Sequence, residues 1–235
     1  MTAKQIMNEL KGLGSDQIKK IWSNHGVQGD CFGVKIGDMK VIQKKIKHDH
    51  ALSLELFETG NADAMYFAGL ISEPKKMSKE ELQHWAENAR WYMLSEYTVS
   101  WTAAESRFGH ELAIKWINSK EEHVAAAGWN TYSCLVEVMP DEELNLKEIE
   151  SFLEKIKRTI HSTPNRVKYT MNGFLIAVSC YFLPLAPKAM EIARSIGEVR
   201  VNMGDTACKV PNVIESIKKI EGRGKLGKKK KTVFC

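Results

Sequence analysis

No hydrophobic run in this 235-residue sequence is long enough to cross a membrane. The longest apolar stretch, residues 174–183, has about half of the roughly 20 residues that a membrane-spanning helix needs. The first residues include Lys4, Asn8 and Glu9 and contain no apolar core, so we expect no secretory signal peptide. The sequence therefore predicts a buried helix at residues 174–183 and no membrane partner.

Cysteine pairs at metal-binding or redox spacing are also missing. The five cysteines are an odd number and none belongs to a Cys-x-x-Cys pair, a pattern typical of reduced thiols in a cytosolic protein. The motifs of zinc proteases, serine hydrolases and zinc fingers are absent too, so we predict no metal site. Cys208 and Cys235 flank a basic segment without companion ligands, and we interpret both as ordinary thiols.

Acidic residues are scarce towards the C-terminus. The net charge is +5, but 14 of the 34 basic residues and only five of the 29 acidic residues lie from His161 onward. This imbalance, concentrated in residues 222–232, predicts contacts to nucleic-acid phosphates. The alternative is a solvated, frayed terminus that only aids solubility. The candidate phosphate-binding lysines are Lys228, Lys229, Lys230 and Lys231.

Strand patterns are nearly absent, whereas helical periodicity is found throughout. Apolar residues recur at helical spacing most regularly in residues 149–160, and Ser78 followed by Glu81 matches a capping box that begins a helix. Only residues 199–203 resemble a strand. We predict an all-α fold of roughly ten to twelve short helices, an α-α superhelix of helical repeats, over residues 1–221. A basic C-terminal tail follows at residues 222–235.

Aromatic rings and carboxylates are concentrated between Trp91 and Glu105. Tyr92 and Glu96 are four residues apart, so a helix places this ring and this carboxylate on one surface, and Trp101 and Glu105 repeat the spacing. A ring face and an anion both attract positive charge, so such a pair suits a cationic ligand or transition state. The alternative is that the rings pack between helices and the glutamates are solvated.

A second candidate site lies at residues 163–169. Arg166 and Lys168 stand at the predicted start of a helix that leads into Phe174. Basic side chains and free backbone N–H groups at a helix N-terminus form a ready phosphate site. The pattern therefore predicts that Arg166 and Lys168 bind DNA phosphates.

These segments, above all residues 81–129 and 166–181, resemble the AlkD family of bacterial DNA alkylation repair glycosylases. The motif at residues 203–211 (MGDTACKVP) is similar to that of a shorter branch of the family. The resemblance implies a HEAT-like stack of helix pairs that binds duplex DNA on a concave basic face. It further implies an N-glycosylase that hydrolyses cationic N3- and N7-alkylpurine nucleotides, without a metal or organic cofactor. A cytosolic or nucleoid location and no obligatory protein partner also follow.

The resemblance assigns Tyr92 to an active-site tryptophan, beside Trp91, and Glu96 to the catalytic aspartate of the family. A rival placement uses Trp101 and Glu105. A carboxylate in this position stabilises the oxocarbenium ion, and a cationic base leaves without a general acid. In either placement, the carboxylate of this chain is one methylene longer than that of the family.

Two further positions of the family pattern fall in later helices. The match at residues 115–117 places Ala126 where the family has a phosphate-binding arginine, and Phe174 replaces a second lesion-contacting tryptophan. The aromatic character is kept and the arginine is lost, so the resemblance supports the scaffold more firmly than the activity.

Three functions fit these observations. The first is a DNA N-glycosylase with Glu96 as its carboxylate and with Tyr92, Trp101 and Phe174 as its aromatic wall. The second is a catalytically inactive paralogue that binds duplex or structured DNA. The third is a protein-interaction solenoid whose basic end binds another acidic partner.

Overall fold

The computed structural model describes residues 1–234, and its regular secondary structure is helical throughout, so the all-α prediction is confirmed. Residues 199–203 form no strand, and Cys235 lies outside the described residues. The α-helices are α1 (Ala3–Leu13), α2 (Asp16–Asn24), α3 (Ile36–Ile46), α4 (His50–Phe57), α5 (Ala62–Ile71), α6 (Lys79–Asn88), α7 (Ser100–Ala104), α8 (Gly109–Ile117), α9 (Glu122–Val138), α10 (Leu146–Thr159), α11 (Asn165–Tyr181), α12 (Ala186–Ile196) and α13 (Val213–Glu221). A π-helical segment, Leu94–Val99, precedes α7 directly.

Local sequence signals set many of the helix boundaries. The Ser78 hydroxyl accepts the Glu81 N–H at 3.1 Å, and the Glu81 carboxylate accepts the Ser78 N–H at 2.7 Å, so the predicted capping box begins α6. Gly197 follows α12 with a φ of +68°, a conformation that glycine adopts without a steric penalty. Between residues 149 and 160, the apolar stripe of α10 and the following turn is buried as predicted: Ile149, Phe152, Leu153, Ile156 and Ile160.

The helices pack as successive neighbours around two apolar clusters. One cluster is formed mainly by α1 to α7 and the other mainly by α8 to α13. Helix α9 belongs to both, because Val124 and Leu135 face the first cluster while Trp129 and Tyr132 face the second. It also packs against α8 on one side and α11 on the other. A helix buried on opposite faces joins the two halves of the molecule into one body.

The loop between α2 and α3 is fixed by a buried carboxylate. Asp63, at the start of α5, accepts the backbone N–H groups of Phe32 at 2.5 Å, Gly33 at 3.2 Å and Val34 at 2.7 Å. Burial raises the pKa of the Asp63 carboxyl, and these three donors offset part of that desolvation. The segment that leaves α2 towards α3 is therefore held against α5.

The basic C-terminal residues pack against the helices instead of extending into solvent. We name residues 226–234 the strap. Its Gly227 N–H donates to the Cys180 carbonyl at 2.8 Å, and its Lys230 N–H donates to the Glu137 carbonyl at 2.8 Å. Val233 is buried in the first apolar cluster. The strap thus runs from α11 past α9 to the end of α7.

The four lysines of the strap are not equivalent. Lys229 pairs with Asp141 at 2.8 Å, and Lys230 pairs with Glu137 at 2.6 Å. Lys228 and Lys231 are exposed. Intramolecular carboxylates thus partly neutralise Lys229 and Lys230, and the binding of DNA phosphates by the four lysines stays a prediction.

No single helix within residues 1–234 is long and apolar enough to cross a membrane. Helix α11 and residues 183–196 reach the required length and composition only together, and a bend of 111° separates them. Residues 174–181, predicted as a buried helix, lie in α11 and are mostly buried.

We expect the double substitution Lys229→Ala/Lys230→Ala to lower the free energy of unfolding by about 1–2 kcal/mol, since two partly buried ion pairs are lost. This corresponds to a Tm lower by roughly 3–6 °C. The matched control, Lys228→Ala/Lys231→Ala, removes the same charge from exposed positions and should change stability by no more than about 0.5 kcal/mol. Equal Tm values for the two variants, measured by calorimetry, would contradict the ion pairs.

Candidate functional site

Glu96 lies where the helical register changes. It is part of the π segment Leu94–Val99, whose Ser95 carbonyl accepts the hydroxyl of Ser100, the first residue of α7, at 2.8 Å. A π segment inserts an extra residue into a helical turn, and such insertions are frequent at functional sites. The register differs from that of the ordinary helix assumed from the sequence, but it leaves Tyr92 and Glu96 facing a common partner.

That partner is Arg166, from the first turn of α11. The Glu96 carboxylate accepts Arg166 Nε at 2.7 Å and Arg166 Nη2 at 2.6 Å, one bond to each carboxylate oxygen. The Glu96 side chain is only 3% exposed and the Arg166 side chain 17%. Asn130 of α9 donates to the Glu96 backbone carbonyl. Two parallel charge-assisted bonds hold both planar groups in one orientation.

The Arg166 guanidinium lies over the faces of two tyrosine rings. Its Cζ atom is 4.4 Å from the centre of the Tyr92 ring and 4.3 Å from the centre of the Tyr169 ring. Tyr169 is three residues after Arg166 on α11, so it lies on the same helix face. Both rings attract the cation through their faces. We name the carboxylate of Glu96 and the rings of Tyr92 and Tyr169 the guanidinium box.

Burial shifts the ionisation of the whole box. It raises the pKa of the Tyr92 hydroxyl to about 12 and raises that of Tyr169 as well. Burial also raises the pKa of the Glu96 carboxyl, against the two hydrogen bonds from Arg166 that favour its ionised form. For Arg166, burial acts downward, but the bonds to Glu96 outweigh it and raise the pKa of the guanidinium.

The box is connected to the N-terminal helices through His25. The Tyr92 hydroxyl and His25 Nδ1 are 2.9 Å apart and share a hydrogen bond, and Trp91 Nε1 donates to the His25 carbonyl at 3.0 Å. The Trp91 ring packs on Trp22 of α2 with centres 4.9 Å apart. Tyr92 and Trp91 therefore have structural partners at the end of α2.

Residues 202–206, which we name the clasp, cross from α11 to the end of α2. Asn202 and Asn165 exchange two hydrogen bonds, of 2.7 and 2.8 Å. Further along, the Asp205 N–H donates to the Asn24 carbonyl at 3.1 Å. The Met203 sulfur lies 3.9 Å from Arg166 Nη1, the guanidinium nitrogen that Glu96 leaves free. The clasp thus joins the C-terminal region to the N-terminal region beside the box.

The other predicted site residues lie elsewhere. Phe174 is fully buried in the second apolar cluster, so it does not form an aromatic wall with Tyr92. Trp101 packs on Phe234 of the strap, and Glu105 accepts the Val233 N–H at 2.8 Å. The rings around Phe174 are those of Trp129, Tyr132 and Phe152.

The two residues predicted to contact phosphates at the start of α11 have different surroundings in the structure. Arg166 is held by Glu96, whereas Lys168 is half-buried on the same helix. The Arg166 backbone N–H donates to the Glu122 carboxylate at 2.6 Å, so an internal anion already occupies this N–H group. Within residues 1–234, no group of three or more His, Cys, Asp or Glu side chains is placed to hold a metal ion.

Tyr169 and His25 were not predicted as site residues. The i, i+3 spacing of Tyr169 from Arg166 is a signal that could have found the tyrosine. No local signal could have found His25, because it meets Tyr92 across 67 residues of sequence.

Comparison with known proteins finds relatives that are similar to this chain in sequence and a solved structure that is similar in fold. The family described as "DNA alkylation repair enzyme" matches residues 6–191. An uncharacterised protein of Listeria innocua is 36% identical over 231 residues, covering 95% of this chain and 99% of that protein. A protein of Listeria monocytogenes, also uncharacterised, is 36% identical over 233 residues, covering 96% and 100%.

A solved structure is similar over the full length of both chains, with 43% identity and a TM-score of 0.90. It is described as representing a new family of proteins related to the HEAT-like repeat DNA glycosylases with affinity for branched DNA structures. The predicted HEAT-like helical-repeat architecture and the predicted relation to alkylation repair proteins are therefore confirmed.

We expect Arg166→Ala to destabilise the protein by about 3–5 kcal/mol, because it leaves the buried Glu96 carboxylate unpaired. With Arg166 absent, burial acts unopposed and the Glu96 pKa in the folded state lies above its unfolded value. The folded variant then binds more protons than the unfolded chain, so its stability deficit relative to wild type should shrink as the pH falls from 8 to 5.

Chemical denaturation across this pH range measures the effect. The control Glu96→Leu/Arg166→Met removes both charges, and its deficit should be smaller and independent of pH. A deficit for Arg166→Ala that stays constant over the same pH range would contradict a buried ionised pair.

The clasp generates a second prediction, at Gly204. This residue has a φ of +75°, and a Cβ atom on it would lie 2.3 Å from the Asn24 carbonyl oxygen. Gly29, with a φ of +81° and open space around it, is a matched control. Both alanine substitutions incur the backbone penalty of about 1–2 kcal/mol, and Gly204→Ala adds the loss of the clasp contact. Thermal denaturation should rank Gly204→Ala as clearly less stable than Gly29→Ala.

Proposed function

This chain belongs to the DNA alkylation repair enzyme family, and from that premise we propose that it binds DNA, preferring branched structures, without depending on base excision. The observation that carries the proposal is its full-length similarity, at 43% identity, to the protein described as having affinity for branched DNA structures. Agreement in length and fold at this identity makes a similar binding surface the simplest expectation.

Exposed cations in the C-terminal region support the proposal. Six lysine and arginine residues on α13 and in the segment after it are exposed, and none forms an ion pair within residues 1–234. Unpaired cations on a protein surface release counterions from DNA when they contact phosphates, which gives affinity without base sequence specificity. These six residues are Lys218, Lys219, Arg223, Lys225, Lys228 and Lys231.

The geometry around Glu96 weighs against an essential role in excision. A carboxylate that stabilises an oxocarbenium ion needs at least one oxygen directed at the sugar. Both oxygens of Glu96 instead accept hydrogen bonds from Arg166, and the side chain is almost fully buried. The rival carboxylate, Glu105, binds the strap.

Base excision remains the second candidate, because the matching family is described as a repair enzyme. In that function, Glu96 would act only after Arg166 had left it. The substrate would be the cationic alkylpurines of duplex DNA, and the protein would act in the bacterial cytosol or nucleoid.

Binding is tested by titrating a labelled four-way junction and a linear duplex of the same arm sequence over a series of salt concentrations. We expect tighter binding to the junction and a linear fall of log K with log salt concentration. Lys218→Ala/Lys219→Ala should reduce the salt slope by about one unit for each phosphate contact removed. Lys75→Ala/Lys76→Ala, at exposed positions of the N-terminal half, is the charge-matched control. No junction binding at low salt would refute the proposal.

Excision is tested separately, with methylated duplex and excess protein. We expect no released methylpurine above the rate without protein. Release that Glu96→Gln abolishes would establish the second candidate instead, whatever the outcome of the binding titration.

A further inference from the structure

The guanidinium box has the composition of a receptor for a cation. Its floor is a carboxylate that accepts one hydrogen bond on each oxygen, and its walls are two tyrosine rings whose centres lie 4.4 and 4.3 Å from Cζ of the bound group. Glu96 and Tyr92 come from one helical stretch and Tyr169 comes from α11, so the box is formed by packing between helices. The same contacts suit a flat, delocalised cation that carries two parallel N–H donors.

We propose that Glu96, Tyr92 and Tyr169 form a binding site for a planar, delocalised cation, and that Arg166 occupies this site as an internal, displaceable ligand. The inference goes beyond DNA binding and does not depend on it. In this proposal the Arg166 side chain fills the box, and we call it the plug. An external cation of the guanidinium type then competes with the plug for the same three partners.

The surroundings of Arg166 allow the guanidinium to leave. A cavity of about 200 Å³ adjoins it, lined in part by Tyr92, Ser95, Glu122 and Arg166 itself. Glu122 lines this cavity and accepts the Arg166 backbone N–H, so a second carboxylate lies beside the space that a displaced guanidinium would enter, together with Arg90. A flexible arginine side chain can therefore move from one anion towards another without losing all charge compensation.

The burial of Glu96 explains why the box needs an occupant. An unpaired carboxylate at the depth of Glu96 is strongly destabilising, so the box must hold either a cation or a proton. An external cation that replaces Arg166 also compensates the charge of Glu96. The clasp limits the exchange, since the Met203 sulfur lies 3.9 Å from Nη1, at the edge of the guanidinium that Glu96 leaves free.

Chemical rescue tests the proposal directly. Arg166→Gly removes the plug and leaves a space shaped for ethylguanidinium, the probe. We expect ethylguanidinium to raise the Tm of this variant by about 5 °C or more at a hundredfold excess over its Kd, with saturation at one ligand per chain. Neutral ethylurea, which has nearly the same shape, should give no shift. Wild type, whose box is filled, should bind ethylguanidinium at least about tenfold more weakly.

A second variant distinguishes binding of ethylguanidinium in the box from nonspecific stabilisation of the protein by this compound. Arg166→Gly/Glu96→Gln keeps the space but removes the floor charge, and the rescue by ethylguanidinium should disappear. Equal shifts with ethylurea, or an undiminished rescue in this double variant, would overturn the proposal.

Wild-type protein provides a readout that does not depend on the folding of either variant. Nitrogen NMR should detect slow rotation of the Arg166 Nη groups about their Cζ–Nη bonds, in contrast to the fast rotation expected for exposed Arg223. Millimolar ethylguanidinium should restore fast rotation at Arg166 alone. Fast rotation before any ligand is added would show that the box does not hold the side chain, and would overturn the proposal as well. Neither result changes the outcome of the junction titration, so the two proposals fail independently.

Discussion

The ion pair between Glu96 and Arg166 is the interaction on which the surrounding structure depends. A carboxylate at this depth is tolerated only with a charge partner that satisfies both of its oxygens. The pairing fixes the first turn of α11 against the π segment and orders the rings of Tyr92 and Tyr169 along the guanidinium. Tyr92 in turn reaches His25, so the constraint extends from α11 to the end of α2.

Two irregular segments, the clasp and the strap, connect helices that are not neighbours in the helical-repeat array. In an open solenoid each repeat contacts only the next, and stability is close to a sum of local terms. Here the clasp joins Asp205 to Asn24, and the strap joins Val233 to Glu105. Both connections link residues more than a hundred positions apart, so distant helices share contacts and should unfold together.

The scaffold of the DNA alkylation repair family is retained, and within it the carboxylate of Glu96 is held in an internal ion pair. Function resides in the side chains that a fold presents, and one arrangement of helices supports several functions. In this chain, both oxygens of Glu96, the residue that the sequence resemblance assigns to the catalytic aspartate, accept hydrogen bonds from Arg166. The exposed, unpaired cations of α13 and the segment after it lie outside the guanidinium box, so the DNA contacts that we propose for them do not involve Glu96.

The sequence by itself determined the helices, because caps and apolar periodicity are local: the Ser78 capping box and the stripe on α10 are both found as predicted. It also indicated that Tyr92 and Glu96 face a positive charge. Only the tertiary structure decided that this charge is Arg166. The two residues are 70 positions apart, and spacing along one helix cannot predict a pair at that separation. For the same reason Phe174 belongs to the core and Lys229 to an internal ion pair: their partners are brought close by packing alone.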